Sequence, residues 1–279
     1  MAETGMEILW QGKPPITADV VFVHGLRGDR IRTWEKGTVV WPRDLLKDAI
    51  PNARIMTWGY DADTMHFMSA VGQSSIAALA EQLLDDLADK RKPKEARERP
   101  IVFVTHSLGG LIVKDALWQS YVHGRTEHVY FPRKAAIKKH TAGIVFAGTP
   151  HRGSDQAKWP LVATNLATKV FKDNNPKLIQ ALIRGSETLE RLQNDFSKIA
   201  LQLPIQTYTE DKNLAVNQKV VENDSAILGF PNEARGILPG NHIGMVKLGS
   251  STDTGYERMS NCIANLIEDV LESQQQEGL

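Results

Sequence analysis

The run Ile101–Leu117, IVFVTHSLGGLIVKDAL, constrains the fold more than any other stretch. An apolar, β-branched run abuts a run of helical period, with His106, Ser107, Leu108 and the Gly109–Gly110 pair at the junction. Strand and helix this close require a sharp turn. In an open α/β sheet, such a turn puts its central side chain at the carboxyl end of a strand, where ligands bind. The spacing predicts a strand over 101–105, a helix from 108 to 122, and Ser107 pushed outward from the corner on a strained backbone. Thr105 to Gly109 follow the G-x-S-x-G elbow pattern except at the first position, where Thr105 adds bulk and implies a slightly more open turn.

The same rhythm recurs on both sides. ADVVFVHG (18–25), ARIMTWGY (53–60), AGIVFAG (142–148) and PIQTYTE (204–210) read as short buried strands. Between the second of these and strand 101–105, Ile76, Leu79, Leu83, Leu84 and Leu87 mark one face of a helix. A last amphipathic helix runs from Tyr256 to about Ser273. Strand and helix in alternation predict an α/β protein, a mostly parallel sheet with helices on both faces, and one domain over 1–279. Two segments depart from this pattern. Residues 90–99, KRKPKEARER, read as a solvated loop. Residues 155–203 read as a helical insertion longer than a crossover needs, hence a lid over a pocket or extra sheet covering, with Trp159 placed to face a pocket.

Composition removes several classes of function. Acidic and basic residues are equal at 33 each, so general nucleic-acid binding is disfavoured; Lys134, Lys138 and Lys139 read as a plain solvated turn or as a local basic patch. One cysteine, Cys262, excludes an internal disulfide and, with no Cys/His cluster, a structural zinc site; the expectation is a cytoplasmic or otherwise intracellular protein. No run reaches the roughly 18 apolar residues of a membrane span, and the N-terminus lacks a signal-peptide pattern. GTPHRGS (148–154) has the glycine spacing of a phosphate loop but Ser154 where lysine is needed, and no GxGxxG or HExxH is present. No cofactor or metal is expected.

Taken together, VFVHGLRGD, WPRDLL, ARIMTWGYDA, THSLGGLIVKDAL, FAGTPHRGS, DSAILG and NHIGMVK resemble the α/β-hydrolase family of serine esterases and lipases. The similarity runs from Val20 to Lys247 and points to the branch related to GPI inositol-deacylases and to lipase-like domains at the N-termini of fungal NLR-type proteins. The resemblance implies an α/β-hydrolase fold and cleavage of a small-molecule carboxylic ester through an acyl-enzyme, and does not fix which ester; the apolar helical insertion at 155–203 points to a lipid-like or otherwise hydrophobic acyl group. It implies Ser107 as nucleophile. His242 is the base, since the order Ser, acid, His leaves room for an acid before it and not before His151. His24 and His106 are read as structural or backbone-orienting. Leu26 and Leu108 would supply the oxyanion-hole amides. For the acid, Glu210 ends the second strand after the elbow and matches the family's strand-terminal glutamate, with Asp224 and Asp211 as alternatives. A different reading keeps the pocket but not the turnover: an effector or signalling domain, fused to further domains of a longer protein, that binds a ligand or partner.

Overall fold

The computed structural model describes residues 3–61, 73–125, 131–151, 164, 165, 168, 186–211 and 226–277. The chain enters through β1 (Gly5–Trp10), antiparallel to the rest, and β2 (Ala18–Val23), whose six residues are all buried. A two-residue hairpin, β3 (Glu35–Lys36) and β4 (Val39–Val40), precedes β5 (Ala53–Gly59). Helix α1 (Gln73–Lys90), the short α2 (Lys94–Glu98) and β6 (Ile101–His106) lead into the elbow and α3 (Gly109–Arg125). Then follow α4 (Pro132–Lys139), β7 (Thr141–Ala147), α5 (Ser186–Ala200), β8 (Ile205–Glu210), β9 (Glu233–Leu238) and α6 (Thr254–Glu277).

The sheet has seven strands in the order β1-β5-β2-β6-β7-β8-β9, parallel except for β1. This is the doubly covered α/β-hydrolase architecture. Its central strands read as continuous apolar runs because both of their faces are covered. Alternation along β2 divides the core. Val21 and Val23 pack with Leu83, Leu87, Leu111 and Phe196 under α1, α3 and α5. Val20 and Phe22 pack with Trp34, Trp41, Met259 and Ile263 under α6. Trp34 and Trp41 both stand edge-on to Phe22, at centroid distances of 5.0 and 5.1 Å. Each large apolar side chain buried this way contributes about 1.5–3 kcal/mol relative to exposure.

Of the expected 155–203 insertion, the C-terminal part is α5, which lays Leu192, Phe196 and Ile199 into the core beside α3 and so covers the sheet. Residues 152–163 and 169–185, Trp159 among them, lie outside the described residues. The reading of 90–99 as a solvated loop is corrected: Lys94–Glu98 is helical, and Arg91 is 1% exposed. Its guanidinium meets Asp19, which also takes Arg54 through two 2.9 Å contacts and Arg99 at 2.8 Å. Local charge density conceals this, because the partners are 72 and 80 residues apart in sequence.

Candidate active site

β6 is buried throughout, and its last residues feed the turn. Thr105 is fully buried and donates its hydroxyl to the Val145 carbonyl at 3.2 Å, so the adjoining strand absorbs its bulk. Ser107 follows with φ of 52°, a left-handed conformation that a β-carbon disfavours. Two contacts hold it there. Its amide donates to the Ala147 carbonyl at 2.9 Å, extending the ladder with β7, and Gly110 donates back to the Ser107 carbonyl at 3.2 Å. A β-carbon on Gly109 would lie 2.3 Å from the His24 carbonyl oxygen, so only glycine lets α3 start this close to β2.

His242 reaches the serine from the loop after β9, with Nε2 3.0 Å from Ser107 Oγ. For Nε2 to accept the hydroxyl proton, the ring proton must sit on Nδ1. That atom faces Glu210 Oε1 at 3.9 Å, within ion-pair range but about 1 Å beyond a formed N–H···O bond. All three side chains are buried: Ser107 4%, His242 0% and Glu210 1% exposed. Burial, and then the neighbouring His106, push the His242 pKa well below 6.5, so the ring is neutral at neutral pH and free to take a proton.

Two further histidines secure the backbone around this group. His106 Nε2 donates to the His242 carbonyl at 2.8 Å, tying the elbow to the histidine loop. His24 lies flat on Tyr60 at 4.4 Å; its Nε2 accepts the Tyr60 amide at 3.4 Å, so Nδ1 carries the proton and donates to the Gly25 carbonyl at 2.8 Å. The Tyr60 hydroxyl closes the unit on the His24 carbonyl at 3.1 Å. Both histidines are read from sequence as orienting groups, and this is where they lie. Tyr60 is not legible as part of this group in the sequence, since a tyrosine ending a strand carries no local signal. Burial lowers both histidines from 6.5 to about 4.

Leu26 and Leu108 flank the serine from two loops, both 6% exposed. A β-carbon on Gly25 would stand 2.7 Å from Ser107 Cβ, which is how closely the first loop approaches the elbow. Among the described residues, neither the Leu26 nor the Leu108 amide donates a backbone hydrogen bond. The other sequence candidates lie elsewhere. Asp211 is exposed and accepts the Gly240 amide at 2.6 Å, bracing the loop that carries His242. Asp224 lies outside the described residues. His151 is fully buried, edge-on to Phe146 at 4.5 Å, and neither of its ring nitrogens has a hydrogen-bond partner among the described residues. Near it, Lys114 donates to Gln193 at 2.8 Å, and burial lowers its pKa to about 7.

The family model described as "Putative serine esterase (DUF676)" matches residues 19–213. Among curated proteins, Protein SERAC1 of Bos taurus is 28% identical over 287 residues, covering 93% of this chain and 40% of its own length. Protein SERAC1 of Danio rerio is 31% identical over 209 residues, 67% of this chain and 29% of its own. The chain thus spans less than half the length of these relatives. Among solved structures, the mature Bacillus licheniformis lipase BlEst2 superposes with a TM-score of 0.55 at 14% identity, covering 87% of this chain and 92% of the lipase. A soluble variant of Saccharomyces cerevisiae monoglyceride lipase gives 0.53 at 13%, covering 96% and 91%.

Proposed function

Because the chain belongs to the serine esterase family that matches residues 19–213, we propose that it hydrolyses carboxylic esters by two-step acyl transfer at Ser107. The observation that carries this reading is the 3.0 Å approach of His242 Nε2 to a serine oxygen on a left-handed turn. A hydroxyl is a poor nucleophile until a neutral base takes its proton, and a ring kept neutral by burial is available to do so. A base of depressed pKa takes a proton reluctantly in the resting enzyme. As the imidazolium forms, attraction to the Glu210 carboxylate closes the 3.9 Å gap and raises that basicity when it is needed.

Ser107 attacks the ester carbonyl, and the Leu26 and Leu108 amides receive the oxyanion. His242 then protonates the leaving alcohol, and water repeats the sequence on the acyl-enzyme. The apolar side chains of Leu26 and Leu108 beside the nucleophile favour a hydrophobic acyl group. The test is labelling with a fluorophosphonate probe. Rapid, stoichiometric modification of Ser107, absent in Ser107→Ala, is the expected result. A folded protein that leaves the probe unreacted would instead be a binding domain.

A further inference from the structure

A concave surface lies at the opposite end of the sheet from Ser107. A groove of about 680 Å³ runs between α2, the end of α3 and α4. It sits where α2 leads into β6 and α4 into β7, at the amino ends of those strands. Its walls carry Lys94, Arg97, Arg125, Lys138 and Lys139 against one carboxylate, Glu98. The chain as a whole is balanced at 33 residues of each sign, so this excess is local.

Part of the excess has an ordinary cause. Arg125, Lys138 and Lys139 stand in last helical turns, where each helix end brings about half a negative charge. Two such ends offset about one of the cations and leave the rest. Their contacts are mostly uncharged: Arg125 donates to the Tyr121 hydroxyl at 2.6 Å, and Lys138 to the Gln202 side chain while lying over the Tyr121 ring at 5.6 Å. Lys94 meets Glu98 only at 4.0 Å. Arg97 has a buried Nε with no hydrogen-bond partner. Lys134, by contrast, turns away to Glu81 and Asp85. Between the cations the groove is apolar, lined by Pro132, Ala135 and Ala136, and Phe131 beside it is 53% exposed.

Clustered guanidinium and ammonium groups around a small concavity match a multiply charged oxyanion, for which arginine forks are pre-shaped. We propose that this groove binds a phosphate group carried on an apolar body, whether a phospholipid headgroup or a soluble phosphomonoester. The phosphate lies among Arg97, Arg125 and Lys139, and the apolar part rests on the alanine-lined wall of α4. Nothing in this depends on the chemistry at Ser107.

Two probes separate the sources: phenyl phosphate in solution, and phosphatidylcholine vesicles with or without phosphatidic acid. The variant is Arg125→Glu with Lys139→Glu, and Lys92→Glu serves as control because Lys92 is an exposed cation outside the groove. The wild type should bind at least one probe, with phenyl phosphate shifting the His140 imidazole resonances at the groove wall. The double reversal should weaken binding by about tenfold or more, and the control should not. Ester hydrolysis and circular dichroism should be unchanged in both variants, which separates this site from the one at Ser107. Retention on phosphatidic acid vesicles without response to phenyl phosphate assigns the lipid source, and the converse assigns the soluble one. A wild type that binds neither probe, or a loss equal in Lys92→Glu and the double reversal, overturns the proposal.

Discussion

At the amino ends of β2, β5 and β6, a single carboxylate, Asp19, is surrounded by Arg54, Arg91 and Arg99. At the carboxyl ends of β2 and β6 stand His24, His106 and Ser107, with His242 beside them, and burial holds the histidines there neutral. Both ends are deeply buried, yet they meet the cost of burying ionisable groups in opposite ways. One retains charge and pairs it, so that even Arg91, lowered to about 10 by burial, remains a cation at neutral pH. The other keeps its histidines uncharged, leaving beside the Glu210 carboxylate a base that can gain a proton. The first arrangement fixes the strand ends, and the second is one in which a proton can move.

The contrast can be broken by substitution. Ser107→Ala should reduce hydrolysis of a short p-nitrophenyl ester by about 10⁴- to 10⁶-fold with the fold intact, and His242→Ala should do nearly the same, because such groups act as a unit. A dead His151→Ala beside an active His242→Ala would move the base elsewhere. Glu210→Gln should lower turnover by up to about 10⁴-fold. Asp211→Asn keeps the acceptor for the Gly240 amide and should remain active. Assaying Asp224→Asn alongside them decides among the three carboxylates.

At the other end the loss should appear in stability. Asp19→Asn leaves three guanidinium groups around a neutral amide and should cost about 3–5 kcal/mol in urea denaturation, with esterase activity per folded molecule preserved. Equal damage to turnover would show that the two ends are coupled.

Acid should act on the histidine end. His24 and His106 titrate near 4 when folded and near 6.5 when unfolded, so between those values the unfolded chain binds more protons. Their contribution to stability is therefore complete above pH 6.5 and lost as pH falls towards 4, at about 1.4 kcal/mol per pH unit for each. Denaturation midpoints measured between pH 7 and 4.5 check this, and His106→Asn should flatten the slope. The acid limb of kcat/KM should lie below 6.5 for the same reason, since His242 is also shifted down.

The strands β2, β5, β6, β7 and β8 are legible in the sequence because burial on two faces demands unbroken apolar runs, and the elbow because so few residues join strand to helix. β9 escapes notice: an edge strand with Glu233 and Arg235 on it and only Leu238 buried has no such run. The short α4 buries only Ile137, too little for a helical period to register. Chain order and the resemblance together nominate Ser107, His242 and Glu210, and the fold brings those three side chains together. What order cannot convey is orientation. Asp211 adjoins Glu210 in the chain, yet successive residues leaving a strand point opposite ways, so it faces the loop. The Asp19 cluster is hidden for another reason, since its partners meet only after the sheet has assembled.

The left-handed Ser107 also bears on how such a sequence persists. Glycine adopts that backbone without strain, and relieving a strained β-carbon is worth about 1–2 kcal/mol, a sizeable part of the margin that keeps a domain folded. A lineage that used this fold only as a scaffold would thus be drawn, one favourable mutation at a time, towards glycine at 107. Holding a serine there sets selection for chemistry against selection for stability at a single codon.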